Sequence, residues 1–78
     1  MIIVLKNLVN KEEMYLTLIF GDIKFTNDIS IAANFDMEEG VRLVSQFNKM
    51  NKAFEIKDKV FELVNDLITY EPNSAYYI

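Results

Sequence analysis

Neither cysteine nor histidine occurs among the 78 residues of this chain. A chain of this length buries only about 60% of the surface that its unfolded form exposes, so small domains often add disulfides or a structural metal. Without these two residue types there is no disulfide and no zinc site of the usual Cys/His kind. The fold must therefore rely on core packing, helped by self-association, and the 51% hydrophobic residues supply material for both.

The same two absences argue against catalysis, because the commonest general base and the strongest nucleophile are both missing. With two glycines the chain has no Gly-rich phosphate loop. The polar stretch from Asn27 to Glu39 lacks the alternating acids and central glycine of a calcium loop. We therefore expect a protein that is not an enzyme, with no cofactor and no metal.

Apolar runs in the first third of the chain predict three strands, over residues 2–9, 14–20 and 23–25. The first two are joined by a short polar loop. Gly21-Asp22 between the second and third is typical of a two-residue hairpin loop. The simplest arrangement is a three-stranded antiparallel meander.

Helix signals follow. Residues 27–34 predict a short helical turn after Thr26, although Ile29–Ile31 could instead extend a strand. Asp36, followed by Glu39, resembles a capping box and predicts a helix over 37–49.

The chain reorganises at 48–52, and the apolar period after it predicts a second helix over 53–69 that ends before Pro72. The alternative is a short strand at 54–56 before a helix from Asp58. Residues 70–78 form a tail. The expected fold is one α+β domain over 1–78, a three-stranded antiparallel sheet packed by two C-terminal helices.

The net charge is −4, with 12 acidic and 8 basic residues, so general binding of DNA or RNA is disfavoured. The only basic stretch, Lys49–Lys59, is better explained as a solvated helix junction than as a nucleic-acid patch. Acids concentrate in the first half and could mimic a phosphate backbone on a basic partner, although capping and solubility explain many of them.

The tail is rich in tyrosine, an amino acid enriched at binding hot spots. Packing of these aromatic residues back onto the sheet is the favoured alternative, because exposed aromatic clusters are rare unless they are functional. The candidate partner-binding residues are the first-half acids and two tail tyrosines: Glu12, Glu13, Asp22, Asp28, Asp36, Glu38, Glu39, Tyr76 and Tyr77. The sequence shows no signal-peptide pattern and no apolar run of the roughly 20 residues that span a bilayer, so we expect a cytoplasmic protein without membrane association.

The run from Phe25 to Ile29, with Ala32, Phe35 and Glu38-Glu39, resembles small uncharacterised acidic proteins encoded by phages and mobile elements of AT-rich bacteria. The resemblance covers roughly residues 14–48 and carries over no functional position. It implies an inhibitor of host defence, of the anti-CRISPR kind, that binds a basic, nucleic-acid-handling protein in the host cytoplasm. The alternatives are a self-associating accessory module, as a homodimer, and a small nucleic-acid-binding regulator that uses Lys49–Lys59.

Overall fold

A computed structural model of the chain describes residues 1–65. In this range the chain forms strands β1 (Ile2–Asn7), β2 (Glu13–Ile19) and β3 (Asp22–Thr26), a 3-10 turn over Ile29–Ile31, helix α1 (Met37–Ala53) and strand β4 (Lys59–Val64). The strand order is β3-β2-β1-β4, and all neighbouring strands are antiparallel. The predicted α+β class and antiparallel sheet are confirmed.

The predicted helix over 53–69 is wrong where the structure describes it. Residues Lys59–Val64 form strand β4, which pairs with β1 from Ile2–Val64 to Asn7–Lys59. The alternative of a strand at 54–56 and a helix from Asp58 is wrong as well. The sheet therefore has four strands instead of three, and residues 1–65 contain one α-helix instead of two. Residues 66–69, Pro72 and the tail over 70–78 lie outside the described residues, so the extent of the single domain stays a prediction.

Helix α1 does not break at 48–52 but continues to Ala53, and it ends in a Schellman motif. The Glu55 N–H donates to the Lys52 carbonyl at 3.1 Å, and the Ile56 N–H donates to the Asn51 carbonyl at 2.8 Å. Glu55 has the left-handed φ of 59° that this motif requires, a position at which glycine is usual. The chain then reverses into β4 without a glycine or a proline.

The segment 31–35 links β2 to the start of β1. Paired β1–β2 positions run only from Lys6–Glu13 to Val4–Tyr15. Beyond them, the Ala33 N–H donates to the Leu16 carbonyl, and Phe35 exchanges two backbone hydrogen bonds with Met1. This segment follows the 3-10 turn, which lies within the predicted turn over 27–34; Ile29–Ile31 does not extend a strand.

The core lies on β1 and β2, where Ile2, Ile3, Val4 and Leu16 are buried. Helix α1 packs on β1 and β4, and Gly40 lies so close to Leu63 that a Cβ there would come within 2.5 Å of its Cδ1. The Phe61 ring lies 5.0 Å from Phe47 of α1 and 6.0 Å from Phe25 of β3. The odd-numbered residues of β3 and β4 therefore face the helix. Within residues 1–65, no helix is long and apolar enough to cross a membrane.

Candidate protein-binding surface

The turn between β2 and β3 is formed by Phe20 and Gly21, one residue earlier than the predicted Gly21-Asp22 loop. Ile19 and Asp22 are the flanking pair. The φ angles of Phe20 and Gly21 are 51° and 82°. Two positive φ values in succession are what a type I′ hairpin turn requires, and Asn, Asp or Gly usually occupies its first position. An aromatic residue there is unfavourable for the backbone.

Phe20 is also fully exposed, at 103% relative accessibility. A large aromatic ring at the tip of a hairpin gains nothing from burial within its own fold. Phe20 therefore lowers the stability of the monomer in two ways: its backbone has a strained conformation, and its aromatic ring is exposed to water. Such a residue points to a role outside the stability of the monomer.

Phe20 is not isolated, because apolar side chains continue down the hairpin from the turn. Leu18 and Ile23 are Cα partners and about half exposed, at 49% and 52%. Ile19 and Phe25 are exposed as well. Ile19 pairs with Asp22 and projects from the opposite face of the sheet, so we call Leu18, Phe20, Ile23 and Phe25 the hairpin surface. Contiguous exposed apolar residues of this kind mark interaction sites more often than scattered ones do.

Within residues 1–65 the outer edge of β3 is open. In a two-residue hairpin the flanking pair, Ile19–Asp22, exchanges backbone hydrogen bonds, and so does every second pair after it. The backbone groups of Ile23 and Phe25 therefore point away from β2. Among the described residues, the remaining backbone hydrogen bonds include none to these groups.

The other edge strand, β4, is covered by side chains of α1. The Asn48 carboxamide donates to the Phe61 carbonyl at 3.0 Å and accepts from the Phe61 N–H at 2.9 Å. The Asn51 carboxamide donates to the Lys59 carbonyl at 3.3 Å. These two side chains replace the neighbouring strand that β4 lacks, which is one of the ways in which proteins block an edge. The contrast singles out β3 as the edge available for pairing.

The predicted acidic residues fall into separate groups. Glu13 is the Cα partner of Lys6, at the far end of β1 from Met1, whereas Asp36 follows Phe35, which is bonded to Met1. Met1 and Lys6 are five positions apart along an extended chain, about 17 Å. Glu12 and Glu13 line a shallow cleft with Met14 and Asn27. Residues 1–65 contain no cluster of three or more acidic side chains that could hold a metal ion.

Several acids have local structural tasks. The Asp36 carboxylate accepts from the Glu39 N–H at 2.8 Å and caps α1, as predicted. Glu38 and Glu39 occupy the first helical turn. The Asp28 carboxylate accepts hydrogen bonds from the Ser30 hydroxyl and from the Ser30 N–H. Both bonds lower the pKa of Asp28, and the bond from the hydroxyl has the larger effect. Asp22 opens β3, and Tyr76 and Tyr77 lie outside the described residues.

The basic stretch is divided among three elements: Lys49 and Lys52 lie on α1, Lys57 in the following loop, and Lys59 at the start of β4. A mostly apolar groove lies between these elements, lined in part by Leu8, Ile56 and Val60. Lys52, Lys57 and Lys59 line this groove together with Glu55, whereas Lys49 does not line it.

Sequence reasoning missed the hairpin surface because its residues were assigned to strands without regard to which side is covered. The signal that could have found it is the aromatic residue directly before Gly21, at a hairpin tip. Comparison with protein-family models, curated proteins and solved structures gives no match to this chain.

Proposed function

We propose that this protein is a non-catalytic binding module that contacts another protein through the hairpin surface. The observation that supports this most is Phe20, a fully exposed aromatic side chain held at a positive φ. Tyr, Trp and other large side chains at the centre of a contact supply most of the binding free energy in protein complexes. Phe20 stands on a two-residue turn and has only two side-chain torsions, so ordering it in a pocket costs less conformational entropy than ordering a longer, more flexible side chain.

The open edge of β3 adds a second means of contact. An extended segment of a partner can bond to the backbone of Ile23 and Phe25, while its side chains meet the hairpin surface. Such strand addition combines main-chain hydrogen bonds with apolar burial. The inhibition of a host macromolecule that the phage-protein resemblance implies is one consequence that such binding can have, and the cytoplasm is the compartment that we expect.

The acidic residues are secondary in this proposal. Their separation along β1 favours several small contributions to the approach of a partner over one continuous mimic of a phosphate backbone. Salt should therefore slow association moderately without abolishing it.

Affinity capture with matched variants tests the proposal. Wild-type protein, Phe20→Asn and Phe54→Asn are immobilised and exposed to lysate of the source cells, and captured proteins are quantified by mass spectrometry. Phe54 is also an exposed phenylalanine, at 73%, but it lies at the end of α1, away from the hairpin. We expect a partner that wild type and Phe54→Asn retain and that Phe20→Asn loses.

A partner retained equally by Phe20→Asn contradicts the role of the hairpin. A partner that is lost instead by Glu12→Gln/Glu13→Gln assigns binding to the acidic residues.

A further inference from the structure

The charge pattern of β3 indicates what pairs with its open edge. Asp22 and Lys24 lie two residues apart, so both project from the sheet face opposite α1. Among the described residues, the two ion pairs join Lys6 to Glu62 and Arg42 to Glu39. Asp22 and Lys24 therefore have opposite charges, exposed positions and no partner within residues 1–65.

Only some alignments can join two β3 strands. Hydrogen bonds between the two strands form where backbone groups that point outward from each strand meet. Ile23 or Phe25 of one copy must therefore face Ile23, Phe25 or the neighbouring turn residue Gly21 of the other copy. Four symmetric antiparallel alignments that meet this condition are centred within β3: on Asp22, on Ile23, on Lys24 or on Phe25.

These alignments differ in their charge contacts. Centred on Lys24, the two lysines of the dimer face each other. Centred on Asp22, the two aspartates face each other. Centred on Phe25, neither Asp22 nor Lys24 faces a charged residue of β3, because Asp28 lies beyond the strand, at the N-cap of the 3-10 turn. Centred on Ile23, each Asp22 faces Lys24 of the other copy, and this happens twice because the arrangement is two-fold symmetric. Opposite charges directly across a strand pair are favourable and like charges are unfavourable.

The same alignment also suits the helix-side face. It places Ile23 opposite its own copy, with Leu18 beside each, so that half-exposed apolar side chains meet across the new strand pair. A lysine on an edge strand usually opposes pairing. In the alignment centred on Ile23, the acid opposite Lys24 would offset this effect.

We propose that the partner of the β3 edge is a second copy of this chain, joined antiparallel about Ile23 with reciprocal Asp22–Lys24 pairs. The two four-stranded sheets then become one continuous sheet. This inference rests on the proposed binding role of the hairpin and specifies the partner.

Charge reversal tests the alignment. Asp22→Lys places lysine against lysine, and Lys24→Asp places aspartate against aspartate, so each variant alone should dimerise at least about tenfold more weakly than wild type. Mixing the two variants restores both opposite-charge contacts and should give a heterodimer. The double variant Asp22→Lys/Lys24→Asp should again form a homodimer. Sedimentation velocity measures all four, and circular dichroism checks that each is folded.

Cross-linking gives a second measurement in a chain that has no native cysteine. Directly opposed, hydrogen-bonded residues have Cα atoms about 5.5 Å apart, within disulfide range. Ile23→Cys should therefore form a covalent dimer under mild oxidation. Lys24→Cys is the matched control, because in this alignment its two copies lie beyond the roughly 7 Å limit.

Each alternative outcome overturns the proposal. If the wild type is monomeric at about millimolar concentration, the dimer is excluded. If the β3 amides of that monomer are also protected from hydrogen exchange, the edge is covered by another part of the same chain. Dimers insensitive to both reversals form elsewhere, and failure of the mixture to recover excludes the Ile23 alignment. Monomeric wild type that still captures another protein through Phe20 removes this inference and leaves the proposed function standing.

Discussion

Asn48 of α1 and Phe61 of β4 exchange two hydrogen bonds, so that one helix side chain satisfies both backbone groups of a strand residue. The contact is partly buried. Asn48→Ala leaves both Phe61 groups without a protein partner, and we expect a loss of about 1–3 kcal/mol in the free energy of unfolding. Urea denaturation followed by circular dichroism measures it.

Asn51→Ala is the matched control, because Asn51 makes one longer and exposed bond to Lys59. Its effect should stay below about 1 kcal/mol. Equal losses for the two variants would show that the paired geometry of Asn48 contributes nothing special.

Glu55 provides a prediction of opposite sign. It holds the left-handed position of the Schellman motif with a φ of 59°. Glu55→Gly removes the steric penalty of a Cβ in this conformation and should stabilise the protein by about 0.5–1 kcal/mol, after the extra entropy of glycine in the unfolded chain is subtracted. Glu55→Ala keeps the penalty and should give no gain. Thermal and urea unfolding of both variants decide the matter, and a stabilised Ala variant would show that the Glu side chain, not the backbone, is unfavourable.

Glu55 also explains why the sequence misled at the second helix. A helix end is recognised by a glycine or a proline, and neither occurs between Phe54 and Asp58. In the following segment, from Lys59 to Val64, Val60 and Val64 lie on one side of the strand and Phe61 and Leu63 on the other. The apolar residues therefore fit a helical period as well as an extended one. Pairing with β1 decides between them, and pairing is a tertiary interaction that a local pattern does not contain.

The N-terminal strands and the Asp36 cap could be predicted because local chemistry determines them. β-Branched runs favour strands, and an acid three residues before a free N–H favours a helix start. The candidate site was harder. The predicted meander already placed both β1 and β3 at its edges, but a local pattern does not contain the pairing of β4 with β1 or the covering of β4 by Asn48 and Asn51, which together leave β3 as the open edge among residues 1–65.

Gly40 of α1 lies against the Leu63 side chain of β4. An added Cβ at Gly40 would lie 2.5 Å from Leu63 Cδ1 and 3.1 Å from Cδ2. Overpacking of this kind costs about 1–3 kcal/mol, whereas alanine gains about 1 kcal/mol over glycine within a helix. Gly40→Ala should therefore lower stability by up to about 2 kcal/mol. In a Leu63→Ala background the clash is absent, and the same substitution should become stabilising by about 1 kcal/mol. A double-mutant cycle in urea measures this reversal, and additive effects would contradict it.

Asp28 predicts a local pH dependence. Hydrogen bonds from the Ser30 hydroxyl and N–H lower the pKa of Asp28 in the folded state. A carboxyl whose pKa falls on folding stabilises the fold above its unfolded pKa, and this contribution is lost as the pH falls through the folded pKa. Ser30→Ala removes the larger cause, so the pKa of Asp28 should rise partway toward its ordinary value, while Ser30→Thr should keep it low. Carboxyl-carbon NMR titration measures it, and an unchanged pKa in Ser30→Ala would assign the effect to the backbone donor.

Replacement of Phe20 should raise the stability of the fold and weaken binding to a partner. Asparagine tolerates the positive φ at the first position of a type I′ turn better than phenylalanine does, so Phe20→Asn should raise the free energy of unfolding by about 0.5–1 kcal/mol. Gly21→Ala is the control: no atom lies within 4 Å of its added Cβ, so its φ of 82° alone should make the substitution destabilising, by about 1 kcal/mol. Urea unfolding at concentrations where the chain is monomeric measures both. A variant that folds more stably while it loses its partner would show that Phe20 is present for contact, whereas a destabilised Phe20→Asn would place the ring in the fold's own packing.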